Sequence, residues 1–229
     1  MDKNLKDYRE KELKYYAIGN ALVITLLTGV IRSIYNNLDD TSIDVLIEIG
    51  KELMVSCILS SVLYVYLFLL DAIVPGDCKD KICMLCRKLP GETIFDDIRN
   101  GRIKDNRFTI QQFEEKYKAV FDELDKLELK NKYCLSNSTW YGIYKVWEFS
   151  PMVFVSNRDY LLCRDLCVAT LWISIIYLAL VLFSIIPFSC NVIITLLIEM
   201  ILTNVAMRSK QKRFAVNVIA TDIKKVKAN

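Results

Sequence analysis

Glu199 is the one charged side chain within a long, mostly apolar run from Cys190 to Met207. A carboxylate at the centre of a bilayer costs roughly 3 kcal/mol or more unless it is protonated, hydrogen-bonded or in contact with water. We therefore expect Glu199 to face away from lipid. Two arrangements satisfy this: copies of Glu199 in an oligomer line a path for cations, or Glu199 stays neutral and bonds polar groups of an earlier apolar run. Those groups are Asn20, Thr25 and Thr28.

A second chemical feature is a turn with four positive side chains in nine residues: Arg99, Arg102, Lys104 and Arg107. Guanidinium groups bind phosphate oxygens in pairs, and aromatic rings offer a stacking surface for a base. Together with Trp140 and Tyr144, these residues would suit an anionic ligand such as a cyclic nucleotide. The pattern favours a plainer interpretation, a solvated turn beside an aromatic core stripe, because Trp140, Tyr144 and Trp147 share one helix face.

The remaining reactive side chains do not indicate catalysis. The chain has eight cysteines and no histidine, and its seven glycines form no phosphate-binding loop. Cys78, Cys83, Cys86 and Cys134 have the residue type for an all-thiolate zinc site, but Cys134 lacks a neighbouring second thiol. Reduced, buried thiols are the favoured interpretation. We expect no enzymatic activity, no cofactor and no metal.

Four apolar segments set the architecture: Tyr15–Ile31, Leu53–Leu70, Leu166–Phe188 and Cys190–Met207. About 20 apolar residues in a helix cross the hydrocarbon layer of a bilayer. Tyr15 and Tyr16 stand where aromatic side chains meet the membrane interface. With 53% hydrophobic residues and 25% charged ones, the chain has both a membrane part and an aqueous part. The sequence predicts an all-α membrane protein with four transmembrane helices and a small helical cytosolic domain between the second and third.

The expected organisation has five parts. They are a cytosolic lead (1–14), a first transmembrane pair with its outer connector (15–74), the helical cytosolic domain (75–156), a second transmembrane hairpin (157–207) and a basic cytosolic tail (208–229). Pro75 and Gly76 should end the second span. Lys and Arg are dense in the lead, the central domain and the tail but sparse in the loops between paired spans. This distribution predicts that both termini and the central domain are cytoplasmic.

Ile110–Leu127 is the clearest helix of the aqueous part, with apolar residues at spacings of three and four. Thr109 and Gln112 form a capping box before it. Its apolar face either packs against its own domain, which the pattern favours, or forms a seam between subunits.

A second capping box, Ser156 to Asp159, predicts a helix that starts at Asn157 and runs to Ile186, out of the cytosolic domain and into the bilayer. Such a helix can transmit movement. Four charged residues lie at its base: Arg158, Asp159, Arg164 and Asp165. They are either structural ion pairs, which we favour, or a coupling joint between the two parts.

The layout of paired spans, a compact cytosolic insert and no catalytic motif resembles the small four-span effectors of bacterial anti-phage defence systems of the CBASS type. The resemblance implies a cytosolic domain that senses an infection signal and a membrane part that then breaches the bacterial inner membrane. We accordingly expect an oligomeric, multi-pass inner-membrane effector that permeabilises or depolarises the membrane when a partner protein or nucleotide signal engages its cytosolic domain. Nucleic acid is not an expected partner. The alternatives are a membrane anchor or scaffold for a soluble partner, or a small transporter or channel subunit.

Overall fold

The computed structural model describes residues 5–30, 42–85 and 87–226, and every regular element within these ranges is helical. The all-α prediction is therefore confirmed for this part of the chain. The helices are α1 (Leu5–Thr25) with a π-helical continuation (Leu26–Val30), α2 (Ser42–Ile73), α3 (Gly76–Met84), α4 (Pro90–Arg99), α5 (Ile110–Lys116), α6 (Lys118–Leu124), α7 (Leu129–Trp147), α8 (Pro151–Leu182) and α9 (Cys190–Val226).

The chain forms two compact units. Unit 1 consists of Met1–Cys83 and Leu162–Val205, and unit 2 of Met84–Leu161 and Ala206–Asn229. The long helices α8 and α9 each contribute residues to both units. The expected domain boundaries assigned residues 208–229 to a tail, whereas this division places them with the central domain.

Three described helices are long and apolar enough to cross a membrane: Ile49–Ile73 within α2, Pro151–Leu182, and Cys190–Lys224 within α9. The count of four spans stays a prediction, because α1 is not among these candidates. Charged residues occupy α1 as far as Lys14, and its regular α-helix ends at Thr25. The uncharged part from Tyr15 onward is about 16 Å long, roughly half of the hydrocarbon thickness.

The core of unit 1 is a cluster of buried apolar side chains from four helices. Ala17 and Ala21 on α1 are fully buried, and such small residues allow neighbouring helices to approach closely. The other members are Leu13 and Ile24 on α1, Leu63 and Leu67 on α2, Ala169, Ile173 and Tyr177 on α8, and Val192 and Leu196 on α9. α2 ends at Ile73, just before Pro75, so the predicted end of this span is confirmed.

The outward faces of the same helices are also apolar. Exposed side chains include Val55, Ile58, Val65 and Leu69 on α2, Leu178 and Leu182 on α8, and Leu197, Ile201 and Leu202 on α9. Soluble monomers rarely expose apolar surface on this scale, whereas lipid tails accept it. Helix length, composition and exposure together indicate a membrane protein.

Unit 2 has its own aromatic core. Phe95 on α4 meets Tyr117 edge to face with ring centres 5.3 Å apart, and Phe113 on α5 stacks on Phe95 at 5.8 Å. Such pairs contribute roughly 0.5–1.5 kcal/mol beyond the area they bury. The last part of α9 closes this core with the buried side chains Ala215, Val216, Ile219, Ala220 and Ile223. The basic tail predicted from sequence is therefore a helix with one face in a hydrophobic core.

The predicted helix Ile110–Leu127 is present as two shorter helices, because the chain breaks at Tyr117, with φ −103° and ψ 22°. The Thr109 capping box is confirmed: the Thr109 hydroxyl accepts from the Gln112 N–H at 3.2 Å. Phe113 and Leu124 are buried in unit 2, which confirms the favoured interpretation that this stretch packs on its own domain.

The capping box expected at Ser156 is wrong. α8 begins at Pro151, and the buried Ser156 hydroxyl donates to the Val153 carbonyl within the helix at 2.9 Å. Proline suits the first turn of a helix because its fixed φ matches the helix and its missing N–H is not needed there. Serine can equally well bond a preceding carbonyl inside a helix, so its spacing to Asp159 did not identify the start. The far end also differs, since α8 stops at Leu182.

Candidate functional site

Glu199 is the tenth residue of α9 and lies at one end of a series of hydrogen bonds in unit 1. The Tyr16 hydroxyl lies 3.0 Å from Glu199 Oε2 and 2.7 Å from Thr170 Oγ1. Thr170 is fully buried, and its hydroxyl donates to the Leu166 carbonyl at 2.8 Å. Among the residues that the structure describes, Tyr16 is the only side chain that donates to Glu199.

The donor in the contact with Glu199 is the Tyr16 hydroxyl, and the Thr170 hydroxyl lies within reach of both the Tyr16 oxygen and the Leu166 carbonyl. A carboxyl can accept a hydrogen bond in its neutral form and in its charged form. The contact is therefore compatible with both arrangements expected for Glu199, and the choice between them stays a prediction.

The partners expected for Glu199 within the chain were wrong. Asn20 Nδ2 donates to the Tyr16 carbonyl at 3.2 Å, the Thr25 hydroxyl to the Ala21 carbonyl at 2.8 Å, and the Thr28 hydroxyl to the Ile24 carbonyl at 2.7 Å. Short polar side chains satisfy themselves on the preceding helical turn. The longer Tyr16 side chain reaches α8 and α9, although its position in the sequence indicated only an interfacial aromatic.

The residues proposed from sequence as an anionic-ligand site are dispersed, and two of the arginines are bound elsewhere. Arg99 Nη1 lies 2.9 Å from Asp125 Oδ2, and Arg102 Nε lies 3.2 Å from Asp97 Oδ1. Both pairs are largely solvent-exposed, where an ion pair contributes about 0–1 kcal/mol. The role of Arg99 and Arg102 in ligand binding stays a prediction.

Arg107 and Lys104 line a common cleft in unit 2. The Arg107 guanidinium donates to both carboxylate oxygens of Asp105, at 2.8 and 2.6 Å, and to Asn217 Oδ1 at 2.8 Å. The hydrogen bond from the Arg107 side chain holds the pKa of Asp105 below its ordinary value, so this carboxylate stays charged at neutral pH. Arg107 thus braces the loop against α9.

Trp140 and Tyr144 are partly buried, and both rings pack against Phe214. Their rings stack with centres 6.0 Å apart, and Phe214 meets each edge to face at 5.3 Å. Trp140 Nε1 also donates to the Ala215 carbonyl at 3.2 Å. Trp140 therefore packs against the core of unit 2, in agreement with the favoured interpretation for this residue.

The four residues proposed as a coupling joint divide between the units. In unit 2, Asp159 accepts from Arg158 and from Lys210, each at 2.9 Å. In unit 1, Arg164 lies 3.3 Å from Asp165 and 3.3 Å from Asp80. All four take part in ion pairs, and the boundary between the units falls between Leu161 and Leu162. Their coupling role stays a prediction.

The cysteines proposed as possible zinc ligands are not grouped in the described part of the chain. Cys83 is buried in unit 1, where its hydrogen bond to Cys167 and its burial raise its pKa. Cys78 and Cys134 are exposed, so the expectation of a buried thiol is wrong for these two. Cys86 lies outside the described residues. No cluster of three or more metal-binding side chains occurs among the residues that the structure describes.

Sequence reasoning missed Asp222, a carboxylate of unit 2 that binds three donors. Its side chain accepts from Tyr117 at 2.5 Å, from Trp147 Nε1 at 2.8 Å and from Lys116 at 2.7 Å. Burial, reinforced by this carboxylate, raises the pKa of Tyr117 well above its ordinary value, so the phenol remains a donor. A sequence signal existed: Asp222 is the one acidic residue after Glu199.

Comparison with protein-family models, curated proteins and solved structures finds no match to this chain.

Proposed function

We propose that this protein is an oligomeric membrane effector that permeabilises or depolarises the membrane when unit 2 engages a partner protein or an anionic signal such as a nucleotide. The observation that carries the proposal is Glu199, a carboxylate midway along the apolar stretch of a candidate span. A protein that needed only an anchor has no use for a carboxylate there, because its cost must be compensated by other groups.

The contact with Tyr16 defines a closed state in this proposal. In that state we take Glu199 to be neutral; it accepts a hydrogen bond from Tyr16 of its own chain, next to the buried apolar cluster of unit 1. Activation exchanges the Tyr16 hydroxyl for water or for Glu199 side chains of neighbouring copies, which gives ions a polar path. The exposed apolar faces of α2, α8 and α9 offer the surface on which copies meet in the membrane.

The test compares four variants with wild type by membrane potential in bacterial cells on induced expression, read with a voltage-sensitive dye. Glu199→Leu should abolish depolarisation while leaving insertion intact. Tyr16→Phe removes one oxygen and should depolarise more strongly than wild type, because it frees Glu199 from its closed-state partner. The double variant should be silent, and Tyr15→Phe, which changes an exposed neighbour on the same helix, should behave as wild type.

Two outcomes contradict the proposal. The first is depolarisation by Glu199→Leu that equals that of wild type at the same membrane content, because the carboxylate would then have no part in the process. The second is a lack of depolarisation by both wild type and Tyr16→Phe, together with no release of dye from liposomes by the purified protein. This result would reject permeabilisation and favour the membrane-anchor hypothesis.

A further inference from the structure

A basic cleft of about 360 Å³ lies within unit 2, between the loop Ile103–Arg107 and one face of α9. On that face Ser209, Lys212, Arg213, Val216 and Asn217 recur at spacings of one, three and four residues. This volume falls at the small end of the range found for binding sites of small molecules.

The charges in the cleft are unbalanced. Lys104, Lys212, Arg213 and Arg107 are positive and Asp105 is negative, which leaves a formal charge of +3. Arg107 and Asp105 satisfy each other. In the described part of the chain no carboxylate lies within ion-pair distance of the other three cations, and all three are exposed. Three cations that pair with no described carboxylate therefore line one concave surface.

We propose that this cleft binds a phosphate group through Lys104, Lys212 and Arg213, with the Ser209 hydroxyl as a further donor. An arginine fork fits two phosphate oxygens at once, and lysine ammonium groups add compact positive charge. Arg107 is a positioning residue, because its hydrogen bonds to Asp105 and Asn217 fix the loop that carries Lys104.

A neighbouring cleft of about 390 Å³ shares Arg213 and Asn217 with the first and is lined in addition by Pro151, Met152 and Val155. Its lining also includes Ser156, Asp159 and Lys210. A ligand larger than a phosphate group could extend from the first cleft along the apolar side chains of the second.

The phosphate has two possible sources, a lipid headgroup or a soluble molecule. Lys212 follows Met207, the last residue of the apolar run, by five residues, which is about 7 Å along an α-helix. Phosphates of membrane lipids lie within that distance of the hydrocarbon, and basic residues beside a span attract anionic lipids. A soluble phosphate in the aqueous phase can reach the same cleft.

This inference rests on the proposed function in one respect, since it names the place where an anionic signal would act. Binding is nevertheless measured without any permeability readout. The full-length protein is placed in nanodiscs of phosphatidylcholine and titrated calorimetrically with two probes, pyrophosphate for the soluble source and dihexanoyl phosphatidic acid for the lipid source.

The decisive variant is Lys212→Glu with Arg213→Glu, and its matched control is Lys118→Glu with Lys126→Glu. All four residues are exposed and lie in unit 2, both variants change the net charge by the same amount, and the control residues lie outside the cleft. We expect at least one probe to bind wild type and control alike, with an affinity at least about tenfold lower in the cleft variant, since one lost charge-assisted contact accounts for a factor of that size.

The probe that binds identifies the source of the phosphate. If wild-type protein binds a probe but does not permeabilise membranes, only the proposed function is rejected. Binding of phosphatidic acid alone assigns a lipid headgroup, and binding of pyrophosphate alone assigns a soluble ligand. The inference is overturned if neither probe binds wild type, or if the cleft variant and the control lose affinity equally, because the latter result reflects overall charge.

Discussion

Replacing Asp222 by asparagine removes one negative charge from the interior of unit 2 while keeping the size and shape of the side chain. The carboxylate holds the end of α9 to three donors on two other parts of the unit, Tyr117, Trp147 and Lys116. Asparagine retains one acceptor oxygen, but its NH₂ group faces donors in place of the second oxygen.

The cost can be worked from the bonds. A hydrogen bond to a charged group contributes about 1.5–3 kcal/mol and a neutral one about 0.5–1.5 kcal/mol, so each of the two bonds from Tyr117 and Trp147 should weaken by about 1 kcal/mol. The contact with Lys116 is discounted, because this side chain is partly exposed and water replaces its partner. The sum is about 2 kcal/mol, which corresponds to a roughly 30-fold change in an opening equilibrium.

Hydrogen exchange on the full-length protein in detergent micelles measures this change where it occurs. Amides of residues 214–223 in α9 should exchange roughly 30-fold faster in Asp222→Asn, because local opening exposes them more often. Asp122→Asn is the matched control, since Asp122 is an exposed carboxylate of the same unit. If the amides of residues 214–223 in Asp222→Asn exchange at rates within threefold of those in wild type, the view that Asp222 holds α9 in place is refuted.

Three further predictions concern unit 2. Thr109→Ala removes the cap of α5 and should lower the free energy of unfolding by about 1 kcal/mol, seen as a lower denaturation midpoint at unchanged slope; an unchanged midpoint would contradict it. Gly91→Ala places a methyl group 2.5 Å from Asn137 Oδ1 and should cost about 1–3 kcal/mol in the same assay, whereas full stability would show that the neighbours yield freely. Asp105 has a lowered pKa because Arg107 binds its charged form, so its stabilising contribution is present above the unfolded pKa of about 4 and is lost as pH falls through the folded value. The difference in melting temperature between wild type and Asp105→Asn should therefore be largest at neutral pH and shrink as the pH falls below about 4, and a constant difference would count against the assignment.

Much of the fold could be predicted because its signals are local. Apolar runs of about 20 residues identify helices that can span a membrane, and Pro75 ends one of them. The Thr109 cap predicted a helix start, which is found. The apolar spacing after it predicted packing against its own domain, which is also found, although the stretch forms two helices in place of one. Each of these features depends on residues within one or two helical turns, so the sequence contains the whole signal.

The candidate site was predicted less well, because its residues meet over long separations. Glu199 and Tyr16 are 183 residues apart, and nothing in the spacing of either segment favours Tyr16 over Asn20 or Thr28. Likewise, Arg99 and Arg102 form ion pairs with Asp125 and Asp97. Lys104 instead lines a cleft together with residues more than 100 positions later in the chain. Charge density along a turn does not reveal which charges are paired.

The sequence by itself determined that this protein is helical and has both an apolar and an aqueous part. It also determined that an apolar helix carries a carboxylate, which must there be protonated, hydrogen-bonded or in contact with water. Those conclusions follow from side-chain chemistry and helical periodicity. Only the tertiary structure decided that the basic segment after Met207 is a core helix of unit 2, that Asp222 fastens it, and that Tyr16 meets Glu199. The physical reason is that burial and hydrogen bonding between distant segments depend on how the helices pack, and many packings share one local pattern.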